Sequence, residues 1–112
     1  MDETINEESQ LGQRMKKIRK SEARYLVING KKIPLVAKIS IGRDKTNHIV
    51  IDDFMTSRHH ALIQKIKNAF FITDLGSTNG TFINDEAVPE GKYVQIHKDD
   101  LVRIGRTDLK IR

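Results

Sequence analysis

Asp74-Leu75-Gly76-Ser77-Thr78-Asn79-Gly80-Thr81-Phe82-Ile83-Asn84 is the stretch on which the reading of this chain turns. Gly76 to Thr81 are small or turn-forming residues between two apolar runs, Phe70-Phe71-Ile72-Thr73 and Thr81-Phe82-Ile83, so the segment reads as strand, tight loop, strand. Gly76 and Gly80 open backbone angles closed to other residues and remove Cβ atoms that would block close approach. Ser77, Thr78 and Asn79 add hydroxyl and amide groups, and nothing in the sequence obliges them to face inward. Such a loop suits an anion or a peptide backbone, although Asn-Gly between apolar runs is also the signal of an ordinary hairpin turn.

Outward from this stretch the same texture repeats. Tyr25 to Ile28 and Lys31 to Val36 flank Asn29-Gly30, which predicts a hairpin closed by a two-residue turn. Further short apolar runs lie at Lys38–Ile41, His48–Ile51, Ala61–Ile66, Ala69–Thr73, Tyr93–Ile96, Leu101–Ile104 and Leu109–Ile111. They recur about every eight to twelve residues with turn residues between them, and none is long enough for a helix. The pattern predicts an all-β sandwich of about ten to eleven short, mostly antiparallel strands over residues 24–112. Residues 1–23 read as a flexible charged tail. Met1 to Gln10 carry four acids and no base, the following segment is basic, and large apolar groups are too few to order it. Leu11, Met15 and Ile18 offer at most a transient helical turn or two.

Composition narrows the function classes. A chain of 112 residues is one domain by length, and it contains no cysteine, which removes disulfides, thiolate metal sites and a cysteine nucleophile. No apolar run approaches the roughly eighteen residues needed to span a bilayer, and the first residues are acidic rather than basic then apolar. A cytoplasmic monomer without membrane insertion is expected. The net charge of +5 favours an anionic partner without demanding nucleic acid.

Two other clusters sit at strand boundaries, Ile41-Gly42-Arg43 and Ser57-Arg58-His59-His60. Ser57, the histidines and Asp74 contain the ingredients of a hydrolytic triad. Adjacent histidines, however, face opposite sides of a strand, and Ser57 lacks a glycine elbow, so no enzyme is expected. The Gly76–Thr81 loop lacks the Gly-Lys-Ser/Thr ending of a nucleotide cradle, no acidic cluster is spaced for magnesium, and His48 and His97 are remote in sequence. No metal or cofactor is expected.

Gly42-Arg43, then Ser57-Arg58-x-His60, then Asp74-x-x-Ser77-x-Asn79-Gly80-Thr81-x-x-Asn84 together resemble the signature of the forkhead-associated (FHA) domain family, over about Arg24 to Arg112. The resemblance implies a phosphothreonine-peptide reader acting as a signalling adaptor, with the three loops converging at one end of the sandwich. It implies that Arg43 and the Ser57 hydroxyl take the phosphate, that Arg58 and Thr78 complete the shell, and that Asn79 holds the peptide backbone. Gly42, His60, Asp74, Gly76, Ser77, Gly80, Thr81 and Asn84 are then framework, with His60 buried and bonded between loops. The chemistry fits: a phosphothreonine carries about 1.5 to 2 negative charges and three acceptor oxygens, which call for a guanidinium and short donors in a fixed arc.

Met55, just ahead of Ser57, is expected to read the third residue after the phosphothreonine. An aliphatic group is expected there rather than aspartate, which Asp53 would repel. Thr4, in an acidic setting, is the candidate phosphosite through which the tail regulates the pocket. The rival reading is a nucleic-acid or anionic-membrane binder acting through the basic segment 14–20.

Overall fold

The computed structural model describes residues 9–16 and 22–112. Helix α1 (Gln10–Lys16) precedes eleven strands: β1 (Tyr25–Ile28), β2 (Lys31–Pro34), β3 (Lys38–Gly42), β4 (Ile49–Val50), β5 (Ala61–Ile66), β6 (Ala69–Asp74), β7 (Thr81–Ile83), β8 (Glu86–Ala87), β9 (Val94–Ile96), β10 (Leu101–Ile104) and β11 (Thr107–Ile111). They form a sandwich of a six-stranded sheet, ordered β2-β1-β11-β10-β7-β8, and a five-stranded sheet, ordered β4-β3-β5-β6-β9. Only β3 and β4 pair in parallel; the other named pairs are antiparallel.

Alternation along the strands builds the core. In β1 and β10 every second residue is buried, and Leu26, Val102, Ile104 and Leu109 from one sheet join Ile39, Ile41, Ile63 and Ile72 from the other in one apolar cluster. The β1–β2 turn is as expected, with Asn29 at φ 49° and Gly30 at φ 76°, the left-handed pair that a two-residue hairpin requires. A second such turn, at Asn84 (φ 49°) and Asp85 (φ 70°), introduces β8, a two-residue strand with no apolar run to announce it. Asn79-Gly80 is no hairpin. Strand β6 belongs to the five-stranded sheet and β7 to the six-stranded one, so the chain crosses between the layers there.

Within residues 1–23, expected to be a flexible tail, the structure describes 9–16 and 22–23, and the first of these segments is ordered on the domain. Residues 10–16 form a helix docked on β9. The Ser9 hydroxyl accepts from the Gly12 amide at 2.9 Å and so caps the first turn. Leu11 is 1% exposed and joins the core. Arg14 donates from Nη1 and Nη2 to the two carboxylate oxygens of buried Asp100, at 2.6 and 2.9 Å, and reaches the Gln95 carbonyl of the edge strand β9 at 3.3 Å. Two residues anchored in the folded domain, Leu11 in the core and Arg14 on Asp100 and Gln95, order a segment whose own composition could not. Thr4, and Lys17 to Lys20 of the basic segment, lie outside the described residues. No helix among those described is long and apolar enough to cross a membrane.

Candidate functional site

Three loops meet at one end of the sandwich because main-chain pairing runs on past the strand ends. His60 N–H donates to the Ile41 carbonyl (2.9 Å), Arg43 N–H to Ser57 (2.9 Å) and Asp44 N–H to Arg58 (3.1 Å), so residues 41–44 and 57–60 lie side by side. Gly42 is buried at the closest point. A Cβ there would run into the Arg58 carbonyl oxygen and lie 2.8 Å from the Asn47 amide nitrogen, which itself donates to the carbonyls of Asp44 (2.8 Å) and Arg58 (2.7 Å). Glycine at 42 is therefore a packing requirement.

The third loop is wound around a carboxylate. Buried Asp74 accepts from the amides of Gly76 (3.1 Å) and Ser77 (3.0 Å) and from the hydroxyls of Ser77 (2.6 Å) and Thr81 (2.7 Å). The Ser77 oxygen in turn accepts from the Gly80 amide at 2.9 Å. Ser77 thus faces inward, which the sequence did not oblige it to do. Gly76 and Gly80, at φ 81° and 88°, supply the left-handed backbone the winding needs.

His60 joins this loop to the one before it. The ring is fully buried; Nδ1 accepts from the Ser57 amide at 3.0 Å, and Nε2 lies 2.9 Å from the Gly80 carbonyl. Accepting at one nitrogen and donating at the other defines the neutral tautomer with hydrogen on Nε2. Both ring nitrogens are thereby taken by backbone, and neither is bonded to Ser57 Oγ. The triad ingredients are close together but not wired as nucleophile and base.

What remains facing solvent is a set of donors. Arg43 is exposed, and its Nε donates to the Thr56 carbonyl at 3.1 Å. This fixes the side chain along the loop while both terminal nitrogens have no partner among the described residues. The half-buried Ser57 hydroxyl oxygen accepts from the Thr78 amide at 3.0 Å, which leaves its own hydrogen to donate. Thr78 is exposed beside it. Asn79, also exposed, spends one amide hydrogen on the Met55 carbonyl at 2.8 Å. Arg58 is exposed, with its carbonyl in the loop ladder. The acid beside it, Asp44, is held by the hydroxyl and amide of Thr46, which lower its carboxyl below the ordinary 3.8 against partial desolvation. The charges of His59 and Arg58 add to the lowering. Asp44 is therefore engaged locally and does not consume Arg43.

The structure thus gathers Arg43, Ser57, Arg58, Thr78 and Asn79 at one end and places Gly42, His60, Asp74, Gly76, Ser77, Gly80 and Thr81 behind them. Asn84 is elsewhere. It holds the Asp100 carboxylate at 3.0 Å and the Leu101 amide at 2.9 Å, and Asp100 follows β9 at the Phe70 end of β6, away from the Asp74 end. The sequence reading missed Asn47, whose amide clamps two loops, and the carboxylate of Asp53. An aspartate two residues before the amide it accepts is a local signal that could have found the latter.

The family model for the FHA domain matches residues 39–105, which hold strands β4 to β10 and all of β3 except Lys38. The chain belongs to the FHA domain family. FhaB, an FHA domain-containing protein of Mycobacterium tuberculosis, is 34% identical over 100 residues, covering 84% of this chain and 63% of FhaB. The glycogen accumulation regulator GarA of the same organism is 41% identical over 68 residues, 56% of this chain and 42% of GarA. This chain therefore spans less than two thirds of the length of either curated relative. Among solved structures, M. tuberculosis EmbR in complex with a low-affinity phosphopeptide superimposes with a TM-score of 0.74 at 32% identity, over 80% of this chain and 24% of EmbR. In this FHA domain the convergence of loops implied by the signature is met at the Arg43–Ser57–Asn79 end.

Proposed function

We propose that this FHA domain binds phosphothreonine peptides as a non-enzymatic signalling adaptor, with Arg43, Ser57, Arg58, Thr78 and Asn79 as the contact residues. The observation that carries the reading is the Arg43 guanidinium: oriented through Nε, without a partner among the described residues at either terminal nitrogen, and set beside a serine hydroxyl with a hydrogen to give. That pair offers three donor groups to the three acceptor oxygens of a tetrahedral dianion, the need of a phosphate monoester. Each charge-assisted bond contributes about 1.5–3 kcal/mol before desolvation and ordering costs, so a few give the roughly 8 kcal/mol of a micromolar, reversible complex. Asn79, its amide nitrogen on the Met55 carbonyl and within 4.0 Å of the Met55 sulfur, turns to the peptide backbone alongside with its amide oxygen.

The rival reading through the basic segment 14–20 is not favoured, because its first cation, Arg14, is spent on Asp100. Thr4 keeps its proposed role as an internal phosphorylated ligand. It lies six positions, about 20 Å of extended chain, before Gln10, so occupancy of its own pocket has to fit that reach or release α1. The reading is tested by titrating the protein with a pool of phosphothreonine peptides and with the same pool dephosphorylated. Binding confined to the phosphorylated pool supports it; equal binding overturns it.

A further inference from the structure

Beside this pocket the loop between β4 and β5 holds an aromatic ring out in solvent. Phe54 is 79% exposed, more than any other large apolar side chain among the described residues. Its backbone is nevertheless fixed. The Asp53 carboxylate accepts from the Met55 amide at 2.9 Å and the Asp53 carbonyl from the Thr56 amide at 2.8 Å, which closes a tight turn around Phe54. The other carboxylate oxygen accepts from the Arg106 amide at 2.5 Å and the Thr107 hydroxyl at 3.3 Å, tying this turn to the one between β10 and β11.

Gly105, at φ 61°, lets the two turns touch. A Cβ at that position would run into the Thr56 hydroxyl and lie 2.8 Å from the Asp53 carboxylate and 3.0 Å from the Thr56 amide. The clamp therefore presents two exposed side chains on one rigid base, the Phe54 ring and the Arg106 guanidinium. It also abuts the proposed peptide site, since Met55, the next residue, gives its carbonyl to Asn79.

The Asp53 oxygens are turned into the clamp and occupied by the Met55 and Arg106 amides and the Thr107 hydroxyl, and the exposed cation of Arg106 stands beside them. An aromatic held by a rigid turn loses little entropy on contact and excludes water over a wide area, the character of residues that dominate interface affinity.

We propose that Phe54 and Arg106 form a second contact surface beside the pocket, selecting partners that carry an apolar side chain next to an acidic one in the residues flanking the phosphothreonine. The proposal rests on the phosphopeptide reading and extends it to partner choice. The apolar residue covers the Phe54 ring and the acidic one meets the Arg106 guanidinium.

The test is a fluorescence-anisotropy titration of the full chain with phosphothreonine peptides whose flanking residues are alanine only, leucine, glutamate, or leucine with glutamate. Each peptide is measured with and without phosphate. The wild-type protein is expected to bind the leucine–glutamate phosphopeptide at least tenfold more tightly than the alanine one. Phe54→Ala removes the leucine gain, and Arg106→Glu turns the glutamate gain into a loss. Phe54→Ala leaves the alanine-peptide affinity and the melting temperature unchanged, because its side chain is exposed; Arg106→Glu, which also reverses a charge beside the Asp53 carboxylate, is read as the ratio of its affinities for the glutamate and alanine phosphopeptides. Equal wild-type affinity for all four phosphopeptides, or gains that persist in both variants, overturns the proposal while phosphate dependence keeps the pocket reading. Flanking preferences that survive without phosphate support this surface and count against the pocket instead.

Discussion

His60 should be the costliest single truncation among the framework residues of the site. Its ring is fully buried and bridges the Ser57 amide, at 3.0 Å, to the Gly80 carbonyl, at 2.9 Å. Replacing it by alanine removes a buried ring, for which large-to-small truncations cost about 3–5 kcal/mol. The two backbone groups set free sit in partly exposed residues that water reaches, so each adds at most about 1 kcal/mol. The sum, about 4–6 kcal/mol, is a large share of the roughly 5–15 kcal/mol that holds a domain together. At about 4–6 °C per kcal/mol for this size, His60→Ala should lower the melting temperature by about 20 °C or more, read by circular dichroism. Affinity for a phosphothreonine peptide, measured where the variant is still folded, should fall at least tenfold, because the Ser57 loop and the Gly80 loop are no longer held to each other. A melting temperature within about 5 °C of wild type would refute the bridge.

Gly42→Ala should destabilise by more than about 2 kcal/mol in urea unfolding and weaken peptide binding, since the added methyl meets backbone rather than a side chain that can swing away. Arg14→Ala should cost about 2–4 kcal/mol. Among the described residues it leaves buried Asp100 with the Asn84 amide and His97 backbone donors, and a chain lacking residues 1–16 should lose at least as much. Acid unfolding should report the Asp53 clamp. Desolvation pushes that carboxyl up, but the Arg106 and Met55 amides, the Thr107 hydroxyl and the Arg106 charge outweigh it and hold it below the ordinary 3.8. A depressed carboxylate stabilises the fold above its unfolded value and loses that contribution as pH falls through the folded one. Asp53→Asn should therefore flatten the stability decline below about pH 4 in pH-jump denaturation and leave the neutral-pH slope unchanged.

The parts of this molecule written in local sequence were legible. Apolar runs of three to six residues separated by Gly, Asn and Asp gave the strands, because a sandwich buries alternate residues and the turn residues carry their own backbone preferences. The convergence of the three loops that carry the five proposed contact residues was readable from spaced clusters, since each loop needs its glycine or aspartate for a local reason: Gly42 for contact with the Arg58 backbone, Asp74 as the hub of the β6–β7 loop. What escaped depends on partners distant in sequence. Helix α1 is ordered by Asp100 and Gln95, more than 80 positions away, and by a core slot for Leu11. Asn84 belongs to the same motif as Asn79 in sequence, yet it secures the opposite end, because β7 carries the chain from one end of the sandwich to the other. Asp53 looked like a free surface acid until the β10–β11 turn, 53 positions on, came to meet it.

Isothermal titration of wild type and Arg43→Ala with one phosphothreonine peptide, its phosphoserine analogue and its unphosphorylated form measures phosphothreonine recognition by Arg43. Micromolar affinity is expected for the phosphothreonine peptide, weaker binding for phosphoserine and none without phosphate. Arg43→Ala should lose at least 100-fold at an unchanged melting temperature, because two charge-assisted bonds of about 1.5–3 kcal/mol each go and the removed side chain is exposed. Equal affinity for the phosphorylated and unphosphorylated peptides, or full binding by Arg43→Ala, would contradict this recognition.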